Sequence, residues 1–359
     1  MLSFRTAGFS GYGVQYSPFF DNKLAVATAA NYGLVGNGKL FVLNITPQGE
    51  IREEISWMTN DSLFSTAWSE LNENQIVTSL GDGSIKIFDT TVPNFPILQW
   101  KEHEREVFSV SWGLTDKTQL VSSSWDGTIK LWTPGRNQSL LTLNSAMNND
   151  LTTKISSAVP LSNQPQHQGI NTSHCVYSAK FSPHAPWQII SCSGAGKVQI
   201  WDIRDRKPLQ MEYVAHGGFE CLSVAPNFYK PEVIASAGSN GSIHLWDLRL
   251  ISSTPHIRGP SPLNELLGHQ FAVRNIKFSP HNANELVSAS YDMSCRVWQD
   301  SSQERARFLN AGAATVGIFP QHKEFVMDCD YSLWGQPGWI ASTGWDEMVY
   351  VWDSNRFRV

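Results

Sequence analysis

Apolar and polar residues alternate along most of this chain, in short runs separated by glycine-containing turns. Residues 122–132 show the pattern clearly, because alternating positions lead into the pair Asp126-Gly127, resume after it and end at Trp132. An Asp-Gly pair between two alternating runs is the composition of a two-residue hairpin turn. The stretch therefore predicts a strand, a tight turn and a second strand.

The same unit recurs along the chain at nearly constant spacing. A turn residue stands six positions before an apolar residue that closes the unit, which is usually Trp. The pairs are Asn37 and Leu43, Asp82 and Phe88, Asp126 and Trp132, Ala195 and Trp201, Asn240 and Trp246, Asp292 and Trp298, and Asp346 and Trp352. Four units also carry a His 23 or 24 positions before the turn residue. A period of about 45 residues with an early His and a late Trp-Asp is typical of WD repeats, each of which builds a four-stranded blade. We therefore predict an all-β fold, a seven-bladed WD-repeat β-propeller.

The recurring polar residues have a structural interpretation in this repeat. In WD repeats the His, a middle-strand Ser or Thr, the turn Asp and the Trp are hydrogen-bonded in series, which gives each buried polar group a partner. We assign this role to His103, Asp126 and Trp132 of the third unit, and to His269, Asp292 and Trp298 of the sixth. The alternative, a catalytic or metal-binding role for these histidines, is disfavoured because each stands where the blade explains it.

The chain is expected to form a single propeller over residues 1–359, interrupted by inserts. The last unit has only three strands of its own, so residues 2–8 should supply its outer strand and close the ring. Residues 144–173, rich in Ser, Asn, Gln and Thr, predict a flexible insert between blades three and four. Residues 252–262 and 299–320 predict two further irregular stretches. They could be partner sites or tolerated loops, and we favour tolerated loops.

Composition and motifs restrict the class of protein. The formal net charge of −5 argues against a nucleic-acid surface. The five cysteines have no Cys-x-x-Cys spacing and are predicted to be reduced core residues, so no metal site is expected. No signal peptide and no apolar run of membrane-spanning length is present, which predicts a soluble, cytosolic protein. Phosphate-binding loops and catalytic motifs are also missing, so we predict neither an enzyme nor a cofactor.

Alignment of the units on their turns indicates where a ligand would bind. The residues that begin each innermost strand, and those just before each hairpin turn, should converge on one face of the propeller. The candidate peptide-binding residues are Asp61, Phe64, Glu106, Phe108, Trp125, Tyr177, Glu220, Tyr291 and Trp345. Some of these aromatic residues could instead cap the core. An exposed aromatic cluster with acidic residues beside it suits a basic, amphipathic peptide helix.

Several segments resemble one WD-repeat family, the import receptors for peroxisomal proteins that carry the N-terminal, type-two targeting signal. The segments that carry the resemblance are residues 8–20, 102–108, 288–293 and 332–338. The resemblance implies a receptor that captures a cargo enzyme such as thiolase, acts with a co-receptor and meets docking proteins at the peroxisomal membrane. It also implies a cytoplasmic protein that cycles to the peroxisome matrix.

The alternative function is a substrate adaptor of a cullin ubiquitin ligase. Residues 201–204 and 246–249 read Trp-Asp-Ile-Arg and Trp-Asp-Leu-Arg, which is similar to the short boxes of such adaptors.

The targeting signal of the resembling family suggests how a ligand would lie on the mouth. That signal is similar to Arg-Leu, five residues, then His-Leu, so its Arg and His lie seven residues apart, about 10.5 Å along one helix face. We hypothesise that the Arg meets Glu106 with help from Asp61, and that Glu220 receives the far polar end. The aromatic candidates would then contact the apolar side of the helix.

Overall fold

The computed structural model describes residues 1–146, 174–252, 260–301 and 315–359. Within these ranges, 28 strands form seven antiparallel sheets of four strands each. Each sheet is one blade, and its innermost strand packs against the innermost strands of the two neighbouring blades. The predicted seven-bladed β-propeller is confirmed.

The strands follow the chain from the centre of each blade to its outer edge. Blade one contains β2 (Ser10–Tyr16), β3 (Lys23–Ala29), β4 (Gly38–Ile45) and β5 (Ile51–Thr59). Blade two contains β6 (Leu63–Trp68), β7 (Gln75–Leu80), β8 (Ser84–Asp89) and β9 (Leu98–Lys101). Blade three contains β10 (Val107–Trp112), β11 (Leu120–Ser124), β12 (Thr128–Trp132) and β13 (Leu141–Asn144). Blade four contains β14 (Val176–Phe181), β15 (Gln188–Ser193), β16 (Lys197–Asp202) and β17 (Leu209–Val214).

The remaining blades follow the same plan. Blade five contains β18 (Cys221–Pro226), β19 (Val233–Gly238), β20 (Ile243–Asp247) and β21 (Asn264–Leu266), with the short helix α1 (Leu248–Ser252) after β20. Blade six contains β22 (Val273–Phe278), β23 (Glu285–Ser290), β24 (Cys295–Gln299) and β25 (Thr315–Phe319). Blade seven contains β26 (Val326–Tyr331), β27 (Trp339–Gly344), β28 (Met348–Asp353) and, from the other end of the chain, β1 (Leu2–Arg5). Short 3-10 turns occupy Ala30–Gly33 and Ser354–Arg356.

Both ends of the chain contribute to closing the ring. Strand β1 pairs antiparallel with β28, from Leu2 opposite Val351 to Arg5 opposite Met348, which confirms the predicted closure by the N-terminal strand. At the other end, the Phe357 carbonyl accepts a hydrogen bond from the Ile318 amide, at 3.0 Å. The end of the chain therefore covers part of the outer edge of blade six, where an unpaired strand edge would otherwise be exposed.

The hydrophobic core lies between adjacent blades, and blades three to seven are each held together internally by a hydrogen bond from the closing Trp to a middle-strand Ser. In blade three, Trp132 Nε1 donates to Ser122 Oγ at 2.8 Å, and His103 links Ser122 Oγ (2.8 Å) to the Asp126 carboxylate (2.9 Å). The same series joins Trp298, Ser288, His269 and Asp292 in blade six. All these groups are buried or nearly so, which is the environment in which a satisfied polar network contributes most.

The inserts differ from their predicted bounds. Thr315–Phe319 is the fourth strand of blade six, so the prediction of an irregular stretch through residue 320 is wrong at that end. Asn144 is the last residue of β13, so the first insert begins later than predicted, and Ser252 still belongs to α1. Residues 147–173, 253–259 and 302–314, which hold most of the predicted inserts, lie outside the described residues.

Candidate functional site

The predicted binding residues converge because six of the seven blades, two to seven, repeat one backbone contact. The residue before each hairpin turn donates its amide to the carbonyl of the residue that leads into the innermost strand. The pairs are Gly81 with Ser62, Trp125 with Glu106, Gly194 with Cys175, Ser239 with Glu220, Tyr291 with Ala272, and Trp345 with Phe325, at 2.8 to 3.0 Å. These positions surround one end of the central channel, and we call this ring of residues the mouth.

Stacked aromatic rings form the part of the mouth that belongs to blades two to four. The Phe108 ring lies nearly parallel to Trp125, with centroids 4.5 Å apart, and to Phe64, at 4.7 Å. Tyr177 meets the edges of Phe108 and Trp125 at 6.1 and 6.2 Å. Phe64 and Tyr177 are only 7% and 8% exposed, so they support the stack from below. Phe108 and Trp125 are partly exposed and present the apolar surface. The alternative role of capping the core therefore fits Phe64 and Tyr177 but not Phe108 and Trp125.

A second aromatic row crosses blades six, seven and one. Tyr291 stacks on Phe325 at 4.7 Å, and Phe325 contacts Trp345 at 5.2 Å. Tyr12 then joins Trp345 to Phe64, with centroid distances of 6.1 and 5.1 Å. The two rows therefore form one continuous aromatic surface.

The sequence interpretation missed Tyr12 and its neighbour Tyr32. Tyr12 donates its hydroxyl to the Tyr32 carbonyl at 2.6 Å, and the Tyr32 ring contacts Trp345 at 5.3 Å. Tyr12 occupies in blade one the position that Phe64 and Phe108 occupy in blades two and three. Extending the alignment to blade one would have found it, whereas Tyr32 lies in a loop without a repeat position.

Three carboxylates from blades two and three lie close together at the mouth. Burial raises the pKa of Asp61, and the nearby charges of Asp82 and Glu106 raise it further, against a hydrogen bond from the Ser62 amide. Asp82 has a cation beside it, Lys101 at 3.3 Å. The only cation near Glu106 is its chain neighbour Arg105, at 3.5 Å, among the described residues. An additional cation would relieve repulsion within this group of carboxylates.

Glu220 lies at a different part of the mouth, on blade five. Its Oε1 accepts a hydrogen bond from the Tyr177 hydroxyl at 3.1 Å. Burial raises the pKa of Tyr177, and the Glu220 charge raises it further, so the hydroxyl keeps its proton and remains a donor. The charges of Glu106 and Glu220 both act on Cys175, which lies between the two acidic regions.

A cation also faces the mouth, at the start of β22. The Arg274 guanidinium lies 5.2 Å from the Phe108 ring centroid and makes one long hydrogen bond, 3.5 Å to the Leu222 carbonyl. The mouth therefore combines an aromatic surface with carboxylates on blades two, three and five and one arginine on blade six.

In the part of the chain that the structure describes, no three His, Cys, Asp or Glu side chains are grouped so that they could hold a metal ion. All five cysteines are buried and unpaired with one another by disulfides. The same residues include no helix with the length and apolar character needed to cross a membrane.

The arginines of the two adaptor-like boxes form local ion pairs. Arg204 contacts the Asp202 carboxylate at 2.7 Å and lies 3.9 Å from the Trp187 ring, and Arg249 contacts Asp247 at 2.7 Å. Both contacts join residues two positions apart. They stabilise the turn after the closing Trp, which is a sufficient reason for the motif within the fold.

Comparison with known proteins gives matches at two levels. The family model described as "WD domain, G-beta repeat" matches residues 94–133, 161–202, 260–299 and 314–353. Over the whole chain, the sequence is 49% identical to the peroxisomal targeting signal 2 receptor of Komagataella phaffii, covering 100% of both chains. It is 44% identical to the receptor of the same name in Saccharomyces cerevisiae, covering 98% of this chain and 99% of that one. The corresponding receptor of Mus musculus is 33% identical, over 97% of this chain and 95% of that one.

Proposed function

Because the chain belongs to the family of peroxisomal targeting signal 2 receptors, a family of receptors and not of enzymes, we propose that its mouth binds the N-terminal targeting helix of peroxisomal matrix enzymes. The receptor would take up its cargo in the cytoplasm and cycle to the peroxisome matrix. The adaptor alternative rests on its two short boxes alone, whose arginines form local surface ion pairs with Asp202 and Asp247.

The observation that carries this proposal is the position of the carboxylates beside the aromatic surface. Asp61 and Glu106 lead into the innermost strands that carry Phe64 and Phe108, so both carboxylates lie beside the aromatic stack. An amphipathic helix with an Arg on the edge of its apolar face can place the guanidinium against the carboxylates and its leucines on the rings. Arg also suits this site because its planar fork pairs with two carboxylate oxygens at once.

The structure refines which aromatic residues would touch the cargo. Phe108, Trp125, Tyr291 and Trp345 are partly exposed and can contact leucine side chains directly. Phe64 and Tyr177 are buried beneath them, so we assign these two residues to supporting the surface. Large, partly buried aromatic residues at the centre of a surface are the common hot spots of peptide binding.

A co-receptor would complete the site from the side of blade one. In the loop after Ala30–Gly33, Leu34 is 86% exposed and Val35 is 69% exposed, next to the mouth residue Tyr32. Two adjacent exposed aliphatic side chains on an ordered loop favour contact with another protein. We propose that the co-receptor covers this loop and the bound helix together, before docking proteins at the peroxisomal membrane engage the complex.

Charge reversal tests the cargo site directly. Replacing Glu106 with Lys (Glu106→Lys) should abolish binding of a fluorescent signal peptide, measured by polarisation in the presence of the co-receptor. Truncation by Glu106→Ala should weaken binding by about 2–5 kcal/mol, because it leaves the peptide arginine without its partner. A peptide whose Arg is changed to Glu should bind Glu106→Lys better than it binds the unmodified receptor.

The control is Glu104→Lys, which makes the same charge change at an exposed position two residues away. It should leave peptide affinity within about threefold, since exposed charges have small effects. Unchanged affinity in folded Glu106→Lys would remove Glu106 from the site. In cells, deleting the gene should mislocalise thiolase while a cargo with a C-terminal Ser-Lys-Leu is still imported, and import of both cargoes would contradict the proposed function.

A further inference from the structure

The central channel below the mouth contains charged side chains that cargo binding does not explain. Its volume is about 240 Å³, and residues of the innermost strands line it. The ionisable residues on this wall below the mouth are Lys180 of blade four, Lys277 of blade six, and Asp328 and Asp330 of blade seven, with Glu70 toward the opposite end. Buried charges are expensive unless each has a partner, so the partners of each group indicate whether the set is complete.

The two aspartates of blade seven are fully used within the protein. One oxygen of Asp328 accepts from the Val14 amide at 2.8 Å, and the other accepts from the Asn275 side-chain amide and the Cys329 amide. One oxygen of Asp330 accepts from the Tyr16 amide at 2.8 Å. These bonds satisfy the Val14 and Tyr16 amides on the innermost strand of blade one, so the two carboxylates connect blade seven to blade one.

Lys277 pairs with the second carboxylate oxygen of Asp330. Its ammonium lies 3.0 Å from Asp330 Oδ1 and makes a longer contact, 3.5 Å, with the Val14 carbonyl. Against the effect of burial, the charges of Asp328 and Asp330 raise the pKa of Lys277, so it stays protonated. One lysine and two aspartates thus form a hydrogen-bonded network on one side of the channel, and the charges of both aspartates also act on Lys180 at longer range.

Lys180 has no such partner. Its ammonium makes a single long hydrogen bond across the channel, 3.5 Å to the Ile276 carbonyl, and no described carboxylate lies within 4.0 Å of it. The side chain is half-buried, and its accessible part faces the channel. An ammonium has three donors, so at least two are left for a ligand.

Arg274 extends this positive region up to the mouth. It is three positions before Lys277 on the same strand, its guanidinium has one weak hydrogen bond, and no described carboxylate pairs with it. Among the described residues, two cations with no carboxylate within 4.0 Å therefore lie on the wall of this channel. Its volume of about 240 Å³ exceeds the roughly 10–15 Å³ that one water molecule needs, so a small anion can enter.

We propose that the channel binds a small oxyanion, a carboxylate or a phosphate, on the Lys180 ammonium, with Arg274 at the entrance from the mouth. The oxyanion can be a free ion from solution or the acidic side chain of a polypeptide bound at the mouth. Either would supply the charge-assisted hydrogen bonds that Lys180 lacks. The site itself does not depend on the identity of the cargo.

Isothermal titration calorimetry with citrate and with inorganic phosphate, at constant ionic strength, tests the first source. The protein should bind at least one of the two ions, and Lys180→Met should weaken that binding about 10- to 100-fold, because a hydrogen bond to a charged group is lost. The matched control is Lys207→Met, which removes an exposed lysine of the same blade and should change nothing.

Peptide binding tests the second source. If neither ion binds but Lys180→Met weakens binding of the signal peptide or co-receptor more than tenfold, while Lys207→Met does not, the oxyanion belongs to the bound polypeptide. If neither ion binds and Lys180→Met leaves both polypeptide affinities unchanged in a folded protein, the channel site is refuted. A failure of the cargo proposal would appear differently, as unchanged peptide binding in Glu106→Lys.

Discussion

At the scale of single residues, the chain separates side chains that hold a blade together from side chains that face a ligand. Asp126 belongs to the first group, since its carboxylate accepts from the Glu104 amide, from the Thr128 amide and hydroxyl, and from His103. Its hydrogen bonds point inward, away from the aromatic surface formed by its neighbour Trp125. Two adjacent residues of one hairpin thus have different roles.

Replacing Asp126 with Ala should therefore destabilise the fold without changing the binding surface. It leaves the buried His103 and two backbone amides with one partner fewer, which corresponds to about 1–3 kcal/mol of unfolding free energy. Chemical denaturation would measure this loss, and cargo affinity per folded molecule should stay near normal. A variant with unchanged denaturation that no longer binds cargo would show that Asp126 acts in binding.

Asp126 and the equivalent turn residues Asp292 and Asp346 predict that the protein loses stability in acid. Burial opposes ionisation of Asp126, Asp292 and Asp346, but hydrogen bonds and the charges of their His partners lower the pKa of all three below 3.8. The unfolded chain then binds more protons near pH 4, so the stabilisation is present above that pH and is lost as pH falls through the folded pKa values. Asp126→Asn should flatten this acid dependence of the denaturation midpoint between pH 5 and 3, whereas an unchanged slope would contradict the assignment.

Lys180 predicts a second rise of stability with pH, in the alkaline range. Burial, and next the charge of Lys277, lower the pKa of Lys180 to about 8, although Asp328, Asp330 and Cys192 act against this shift. Between about pH 8 and the ordinary value near 10.5 the unfolded chain binds more protons, so stability contributed by this group rises with pH in that window. Lys180→Met should raise stability at pH 7 by about 1–3 kcal/mol and remove this rise. If Lys180→Met were instead destabilised by the same amount in thermal melts without added anions, the prediction would be wrong, because the Lys180 ammonium would then stabilise the folded protein.

At the scale of elements, the turns determine which strands could be predicted. The spacing from turn to Trp fixes the second and third strands of each blade, and the alternating run before them fixes the first. The outermost strand has no such marker, which is why Thr315–Phe319 was predicted as irregular although it completes blade six. This strand forms because the edge of β24 is free to pair with it, and its own sequence pattern does not mark it as a strand.

Strand β1 provides a test of ring closure at this scale. Deleting residues 2–5 removes the partner of β28 and exposes the edge from Met348 to Val351. Because each blade packs on two neighbours, the loss should lower the denaturation midpoint of the whole ring in one cooperative transition. Probes in blades three and seven should report the same midpoint by hydrogen exchange or fluorescence. Separate early fraying of blade seven would show that the closure is only local.

At the scale of the whole molecule, the repeat brings residues far apart in sequence to one surface, and this could be predicted in part. Aligning the turns predicts the ring positions, so the sequence alone places Glu106, Trp125, Tyr291 and Trp345 on one face. The alignment could not tell which aromatic rings lie beneath the surface, because Phe64 and Phe108 share one repeat position and differ only in what covers them. The hydrogen bond between Glu220 and Tyr177 could not be predicted from the alignment either, because it joins two blades through side chains alone.

The separation of the two acidic regions predicts how a bound helix spans the mouth. Among the described residues, the Glu106 carboxylate pairs only with its chain neighbour Arg105, whereas Glu220 already accepts a hydrogen bond from Tyr177. A double-mutant cycle between receptor Glu106→Gln and the cargo Arg should therefore give a coupling energy of about 1.5–3 kcal/mol. The cycle between Glu220→Gln and the cargo His should give less than about 1 kcal/mol at pH 7.5 and more at pH 6, where a His of ordinary pKa near 6.5 is protonated. Glu220→Gln against the cargo Arg is the control cycle, and its coupling should be near zero because one Arg cannot reach both carboxylates. Equal coupling of the Arg to both glutamates would mean that the helix stands on end in the mouth and does not lie across it.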